Sequence, residues 1–154
     1  MLRIHSLAFG HEKEANLVKD ILNDSSSQHI LSLMASEDSR PLGHLLFSKV
    51  QAAEPAYAGA VSLLAPLAVV PEAQGQGVCG KPIEEGLRQL TDKHVDLVFV
   101  LGHPGYCPKY RIKPAGRLGL AAPCPQDWVA VCAVISSPFS CDFPVKCGIE
   151  RGNF

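Results

Sequence analysis

Residues 67–80 read Leu67-Ala68-Val69-Val70-Pro71-Glu72-Ala73-Gln74-Gly75-Gln76-Gly77-Val78-Cys79-Gly80. An apolar run with β-branched residues, Val61 to Val70, ends here; a short loop turns at Pro71, and glycines open the next segment. Beyond them Ile83, Leu87 and Leu90 fall on one helical stripe that continues to about Thr91. A helix start presents backbone N–H groups without internal partners, and the helix dipole adds partial positive charge there. Glycines let that backbone approach a phosphate with no side chain in the way. A buried strand, glycines and a helix start, in that order, therefore predict an anion cradle. A tight turn with no ligand has the same local sequence, and the flanking motifs decide between the two.

Gly75-x-Gly77-x-x-Gly80 formally matches the dinucleotide fingerprint G-x-G-x-x-G. In that design the strand runs almost directly into the first glycine, and an acid ends the next strand to hold a ribose. Here Pro71 to Gln74 intervene, the next strand ends Leu101-Gly102-His103, and Asp96 precedes that strand. The dinucleotide reading is weak.

Working outward, Leu2, Ile4, Leu7 and Ala8 are spaced for one helical face that Gly10 stops, and Leu17, Val18, Ile21 and Leu22 give a second amphipathic helix from Glu14 to Leu22. His29 to Ala35 and Leu42 to Val50 read as strands joined by the turn Ser36-Glu37-Asp38-Ser39-Arg40-Pro41. Leu97-Val98-Phe99-Val100-Leu101 and Trp128 to Ile135 are further strands. Between them a Gly- and Pro-rich stretch carries a short helical turn near Tyr106–Tyr110, and Val145–Cys147 is a last short strand. Strands and helices mix without strict alternation, which predicts a mixed sheet in an α+β fold rather than a doubly wound one.

Composition narrows the function classes. At 154 residues, 47% hydrophobic, the chain suits one folded domain spanning 1–154. A formal net charge of -1, with no run of five Lys or Arg, argues against electrostatic binding to nucleic acid or a membrane surface. No stretch approaches the ~20 apolar residues of a membrane span, and Met1-Leu2-Arg3-Ile4-His5 is no secretory signal. The six cysteines, at 79, 107, 124, 132, 141 and 147, include no C-x-x-C pair, so no metal site is expected. Reduced thiols and a cytoplasmic location are the expectation.

The chain resembles the GNAT superfamily of acetyl-CoA-dependent N-acetyltransferases, whose signature is a strand followed by Gln/Arg-x-x-Gly-x-Gly/Ala. Gln74-Gly75-Gln76-Gly77-Val78-Cys79 fits except at the last position. Leu31-Ser32-Leu33-Met34-Ala35, Gly43-His44-Leu45-Leu46-Phe47-Ser48, Leu64-Ala65-Pro66-Leu67-Ala68-Val69 and Leu97-Val98-Phe99-Val100-Leu101-Gly102 are similar to one bacterial-type subgroup of broad or unassigned substrate. The likeness spans roughly residues 1–135.

It implies a central mixed, mostly antiparallel sheet flanked by helices. The strands at Val61–Val70 and Leu97–Leu101 would splay, the pantetheine arm of acetyl-CoA pairing with backbone of Leu67, Ala68 and Val69. The pyrophosphate would lie on amides of Gln74, Gly75, Gln76, Gly77, Val78 and Cys79. A deprotonated amine would attack the thioester, a backbone N–H near Leu67 would polarise its oxygen, and an acid would protonate the leaving thiolate. The acceptor would be a small-molecule amine or a protein amino group, no metal is implied, and a homodimer stays open.

The sequence departs from the family pattern at four places. Cys79 stands where Gly or Ala is usual. Pro82 would kink a helix begun at Gly77 or Val78 and is harmless in one begun near Gly80. The usual proton-donating tyrosine aligns with Cys107, leaving Cys107 and Tyr106 as candidate acids, and the family's subsequent Gly-Phe aligns with Arg111-Ile112. The family's first strand has no counterpart before the helix at Met1. A CoA binder that has lost transfer chemistry, acting as sensor or structural partner, is the alternative. Of the other polar residues, His44 reads as a structural histidine, and Glu37, Glu54 and Glu72 as solvated loop carboxylates.

Overall fold

The computed structural model describes residues 1–27, 29–50, 59–102, 113–114 and 129–134. They group into two compact units, Met1–Ser48 with Leu64–Arg88, and Lys49–Leu63 with Gln89–Phe154.

The first unit opens with α1 (Leu2–Phe9), which Gly10 ends in the left-handed conformation at φ 72, its N–H reaching Ser6 O at 3.0 Å. α2 (Lys13–Asn23) packs against it. The buried positions of α1 are Ile4 and His5, while Leu2 and Leu7 face water. Of the stripe expected on Leu2, Ile4, Leu7 and Ala8, Ile4 and Ala8 pack against the core and Leu2 and Leu7 do not, while His5 takes a buried place beside Ile4.

β1 (Leu31–Glu37) and β2 (Arg40–Val50) form an antiparallel hairpin with Leu31 opposite Phe47 and Glu37 opposite Arg40. The turn is shorter than the sequence suggests. Asp38 and Ser39 make it alone, both at positive φ (46 and 65), the pattern of the primed turns that match strand twist. Pro41 sits inside β2 opposite Ser36, where the register is irregular, a place that tolerates a missing N–H.

β2 carries the core of this unit. Leu42 to Phe47 are all buried, with Leu45, Leu46 and Phe47 at 0% exposure. Each such side chain contributes roughly 1.5–3 kcal/mol on leaving water. A strand covered on both faces needs no polar alternation, which is why this one reads as a continuous apolar run. Its neighbour is β3 (Val61–Val69), most of which belongs to this unit. One helical turn, Pro71–Ala73, and the first turns of α3 (Gly80–Asp92) complete it.

The second unit holds the start of β3 and the end of α3, followed by β4 (Leu97–Gly102), β5 (Lys113–Pro114) and β6 (Val129–Val134). β4 pairs antiparallel with β6 from Leu97↔Val134 to Gly102↔Val129, and β5 pairs antiparallel with β6. The starts of β3 and β4 lie side by side: Asp96 N and Leu97 N both donate to Ala60 O (2.9 and 3.3 Å). Strands that begin together after a helical crossover run parallel, so the architecture is the expected α+β fold with a mixed sheet. The Asp96 carboxylate accepts the Ala60 N–H at 2.7 Å. The acid nearest to a ribose-binding role is thus occupied in joining two strands. The expected helical turn at Tyr106–Tyr110 and strand at Val145–Cys147 lie outside the described residues, and β5 was not anticipated. Among the described residues no helix is long and apolar enough to cross a membrane.

Candidate anion-binding site at the mouth of α3

After β3 the chain is turned by Pro71, whose fixed φ suits the first position of a helical turn. Ala73 N donates to Val70 O at 2.9 Å, and Gln74 N to Pro71 O at 3.3 Å. Ala73 is 4% exposed and packs with Ile4, Leu42, Ala68 and Val70, so the turn is anchored on an apolar floor. Gly75 and Gly77 then take φ of 75 and 73, a region that disfavours any residue with a Cβ.

α3 starts at Gly80, with Ile83 N donating to Cys79 O at 3.0 Å as its first bond. Pro82 therefore lies in the first turn, where its N–H would have had no helical partner, and no kink is required. Of the two starts left open by the sequence, this is the later one.

The backbone N–H groups of Gly75, Gln76, Gly77, Val78 and Cys79 make no well-formed hydrogen bond to the described residues, although Gln74 to Cys79 run through turns. A Cβ built on Gly75 or Gly77 meets no atom within 4 Å, so the space beside these two α-carbons is open. Consecutive donors at a helix start are able to hold an anion through backbone alone. The nearby Glu72 carboxylate is paired with Arg40 at 2.6 Å, which offsets its repulsion of an anion. Gln74 Nε2 donates to Val69 O at 3.0 Å and Gln76 Nε2 to Glu72 O at 2.8 Å. The Gln74 amide N–H, expected to join the cradle, is already turned toward Pro71 O.

Cys79 is tolerated because Gly43 makes room for it. A Cβ on Gly43 would stand 2.7 Å from Cys79 Sγ. Burial leaves the thiol 1% exposed and pushes its pKa up to about 11.

Leu67, Ala68, Val69, Gln74, Gly75, Gln76, Gly77, Val78 and Cys79 all fall within the first unit, on one continuous strand, loop and helix start. The proton-donor candidates Cys107 and Tyr106, and Glu54, lie outside the described residues. Glu37 is exposed at the hairpin end and Glu72 is the carboxylate paired with Arg40.

His44 is a structural histidine, as its apolar neighbours suggest, and it has a partner that sequence reading missed. His44 Nδ1 lies 2.7 Å from His5 Nε2, and His44 Nε2 lies 2.9 Å from Ser32 Oγ. Desolvation first, then the charge His5 would carry, lowers the His44 pKa to about 4; burial lowers His5 as well. Both rings are neutral near pH 7, sharing one N–H, with His5 Nδ1 left unpartnered. Among the described residues no group of three His, Cys, Asp or Glu side chains could hold a metal ion.

No family model matches the chain. The uncharacterised N-acetyltransferase YjhQ of Escherichia coli K12 is 41% identical over 123 residues, covering 79% of this chain and 68% of that protein. The crystal structure of the Escherichia coli GNAT family N-acetyltransferase YhbS with CoA superposes with a TM-score of 0.82 at 24% identity, over 97% of this chain and 81% of that one. A GNAT family acetyltransferase from Brucella melitensis, solved with acetyl-CoA, gives 0.69 at 28% identity, over 90% and 82%.

Proposed function

The chain belongs to the GNAT superfamily of N-acetyltransferases, and on that premise we propose that it moves an acetyl group from acetyl-CoA to an amine, holding the cosubstrate at the mouth of α3. The observation that carries the siting is the run of amides from Gly75 to Cys79 without a well-formed bond to the described residues, bared by two left-handed glycines. A diphosphate bears negative charge on several oxygens, and these donors face it with a helix dipole behind them. The pantetheine arm then runs along the backbone of Leu67, Ala68 and Val69, the strand that leads into the loop. CoA bound to the Escherichia coli relative and acetyl-CoA bound to the Brucella one support this reading.

Transfer is direct. The acceptor nitrogen attacks the thioester carbonyl as a free base, and the oxyanion that forms is stabilised by a backbone N–H near Leu67. The carbon–sulfur bond breaks, the CoA thiolate takes a proton from Cys107 or Tyr106, and the nitrogen gives its surplus proton to water, from which the donor is restored. Small-molecule amines and protein amino groups are the acceptor classes. We read residues 1–154 as one acyltransferase domain working in the cytoplasm, where acetyl-CoA and reduced thiols occur together.

Binding at this site stabilises the folded state by mass action. Acetyl-CoA at a hundred times its Kd should raise Tm by about 5–10 °C. No shift at millimolar acetyl-CoA overturns the proposal. CoA release in the presence of an amine panel then separates an active transferase from a lapsed binder. Binding without turnover, with turnover gained in Cys107→Tyr, would return the reading to the lapsed form.

A further inference from the structure

The loop that offers these amides is held by its own main chain only through weak turn contacts. From Gly75 to Cys79 no N–H makes a well-formed bond to the described residues, and Gly77 O accepts from Gly80 N at 2.9 Å. Glycines in the left-handed region are free to leave it, because no Cβ confines them. Two exposed glutamine side chains supply what the main chain lacks. Gln74 Nε2 reaches back over the Pro71–Ala73 turn to the last carbonyl of β3, Val69 O, at 3.0 Å. Gln76 Nε2 reaches back to Glu72 O at 2.8 Å. Both acceptors belong to the segment just before the glycines, and that segment is anchored on the buried Ala73 and tied to the hairpin through Arg40 and Glu72. The two side-chain bonds thus close rings across the turn and transmit its rigidity to Gly75 and Gly77.

We propose that Gln74 and Gln76 are positioning residues for diphosphate binding, their side-chain N–H groups holding the loop amides in the ligand-ready shape before CoA arrives. This rests on the CoA site proposed above; it gives Gln74, whose amide is engaged with Pro71 O, a side-chain role, and Gln76 a second role besides that of its amide. Both side chains are exposed, so neither contributes through apolar packing. What matters is an N–H donor of the right length. A side chain of similar length without a donor fails, and one that can donate succeeds. Ordering the loop in advance removes an entropic loss from the binding step.

The test uses the full chain and two probes in titration calorimetry: CoA, and 3′-phosphoadenosine 5′-diphosphate, which keeps the diphosphate and lacks the thiol arm. Gln74→Met and Gln76→Met keep length and neutrality and remove the donor. Each should weaken both probes by the same factor, about threefold to tenfold, the value of one lost hydrogen bond. Gln74→Arg, which can donate to Val69 O, should recover affinity, and the recovery should persist at 0.5 M salt (roughly a 4 Å screening length), where a mere charge effect fades. In turnover the Met variants should raise KM for acetyl-CoA while kcat at saturation holds. Unchanged affinity in both Met variants, or a loss confined to CoA, overturns the proposal while leaving the CoA site standing. A wild-type protein that binds neither probe overturns the site and the proposal together.

Discussion

At Gly43 and Gly86 an added Cβ would collide with Cys79 Sγ and with the Phe47 ring, whereas at Gly75 and Gly77 it would meet nothing within 4 Å. The first pair serves β2, buried on both faces between helices. Gly43 admits the thiol at the helix start, and Gly86 lets α3 settle on Phe47. The second pair serves the loop before α3, where the backbone takes positive φ and where the proposed cosubstrate would lie. The same residue type is used for close packing in one region and for backbone shape in the other. Substitutions should therefore separate stability from binding according to region.

The largest effect is expected at Gly77→Glu. A carboxylate placed among the loop amides should weaken acetyl-CoA at least about a hundredfold and abolish its Tm shift. The unliganded protein should lose only about 1–2 kcal/mol, the strain of a side chain at positive φ. A retained ligand shift would remove Gly77 from the site and erase the contrast.

Gly86→Val should do the reverse. Overpacking against Phe47 should lower unfolding free energy by about 2–3 kcal/mol in denaturant titration. A variant as stable as wild type would show that α3 can shift on β2 and that the packing is loose.

The buried region also predicts a pH response that the loop does not. The folded His44 pKa, about 4, lies below its ordinary 6.5. Stability is complete above 6.5, where the ring is neutral in both states. As pH falls, the unfolded ring takes up a proton that the folded one refuses, so stability drops until the folded ring titrates. The loss from His44 amounts to about 3 kcal/mol at most, with a further loss from His5, whose pKa is lowered in the same direction. His44→Gln should flatten the difference in stability between pH 7 and pH 4.5 relative to wild type; equal slopes in the two proteins would sink the assignment.

These regions were not equally legible in sequence. The loop could be read residue by residue, because strand end, glycines and helix start are local signals. Gly10, Gly75 and Gly77 each stand where the backbone turns left-handed, as their type suggests. The buried region was read only in outline. β2 was visible as an apolar run, yet His5 was not seen as its partner, because pairing across 39 positions has no local mark. Gly86 lay inside a helical pattern that named Ile83, Leu87 and Leu90, and only Phe47 explains it. The sequence suggests a wider hairpin turn than the structure has, because positive φ, as at Asp38 and Ser39, is uncommon for residues with a Cβ. The side-chain bonds of Gln74 and Gln76 depend on rotamers, which a motif does not record.

The burial of Cys79 also matters for a protein that handles thioesters. Any ionised thiol in such a protein is a rival acceptor, able to capture the acyl group by exchange. With its pKa raised to about 11 and its sulfur shut in by Gly43, Cys79 is ionised in about one molecule in ten thousand at neutral pH. The cysteine is thereby kept chemically silent, and self-acylation at the helix start is suppressed by packing rather than by the absence of sulfur.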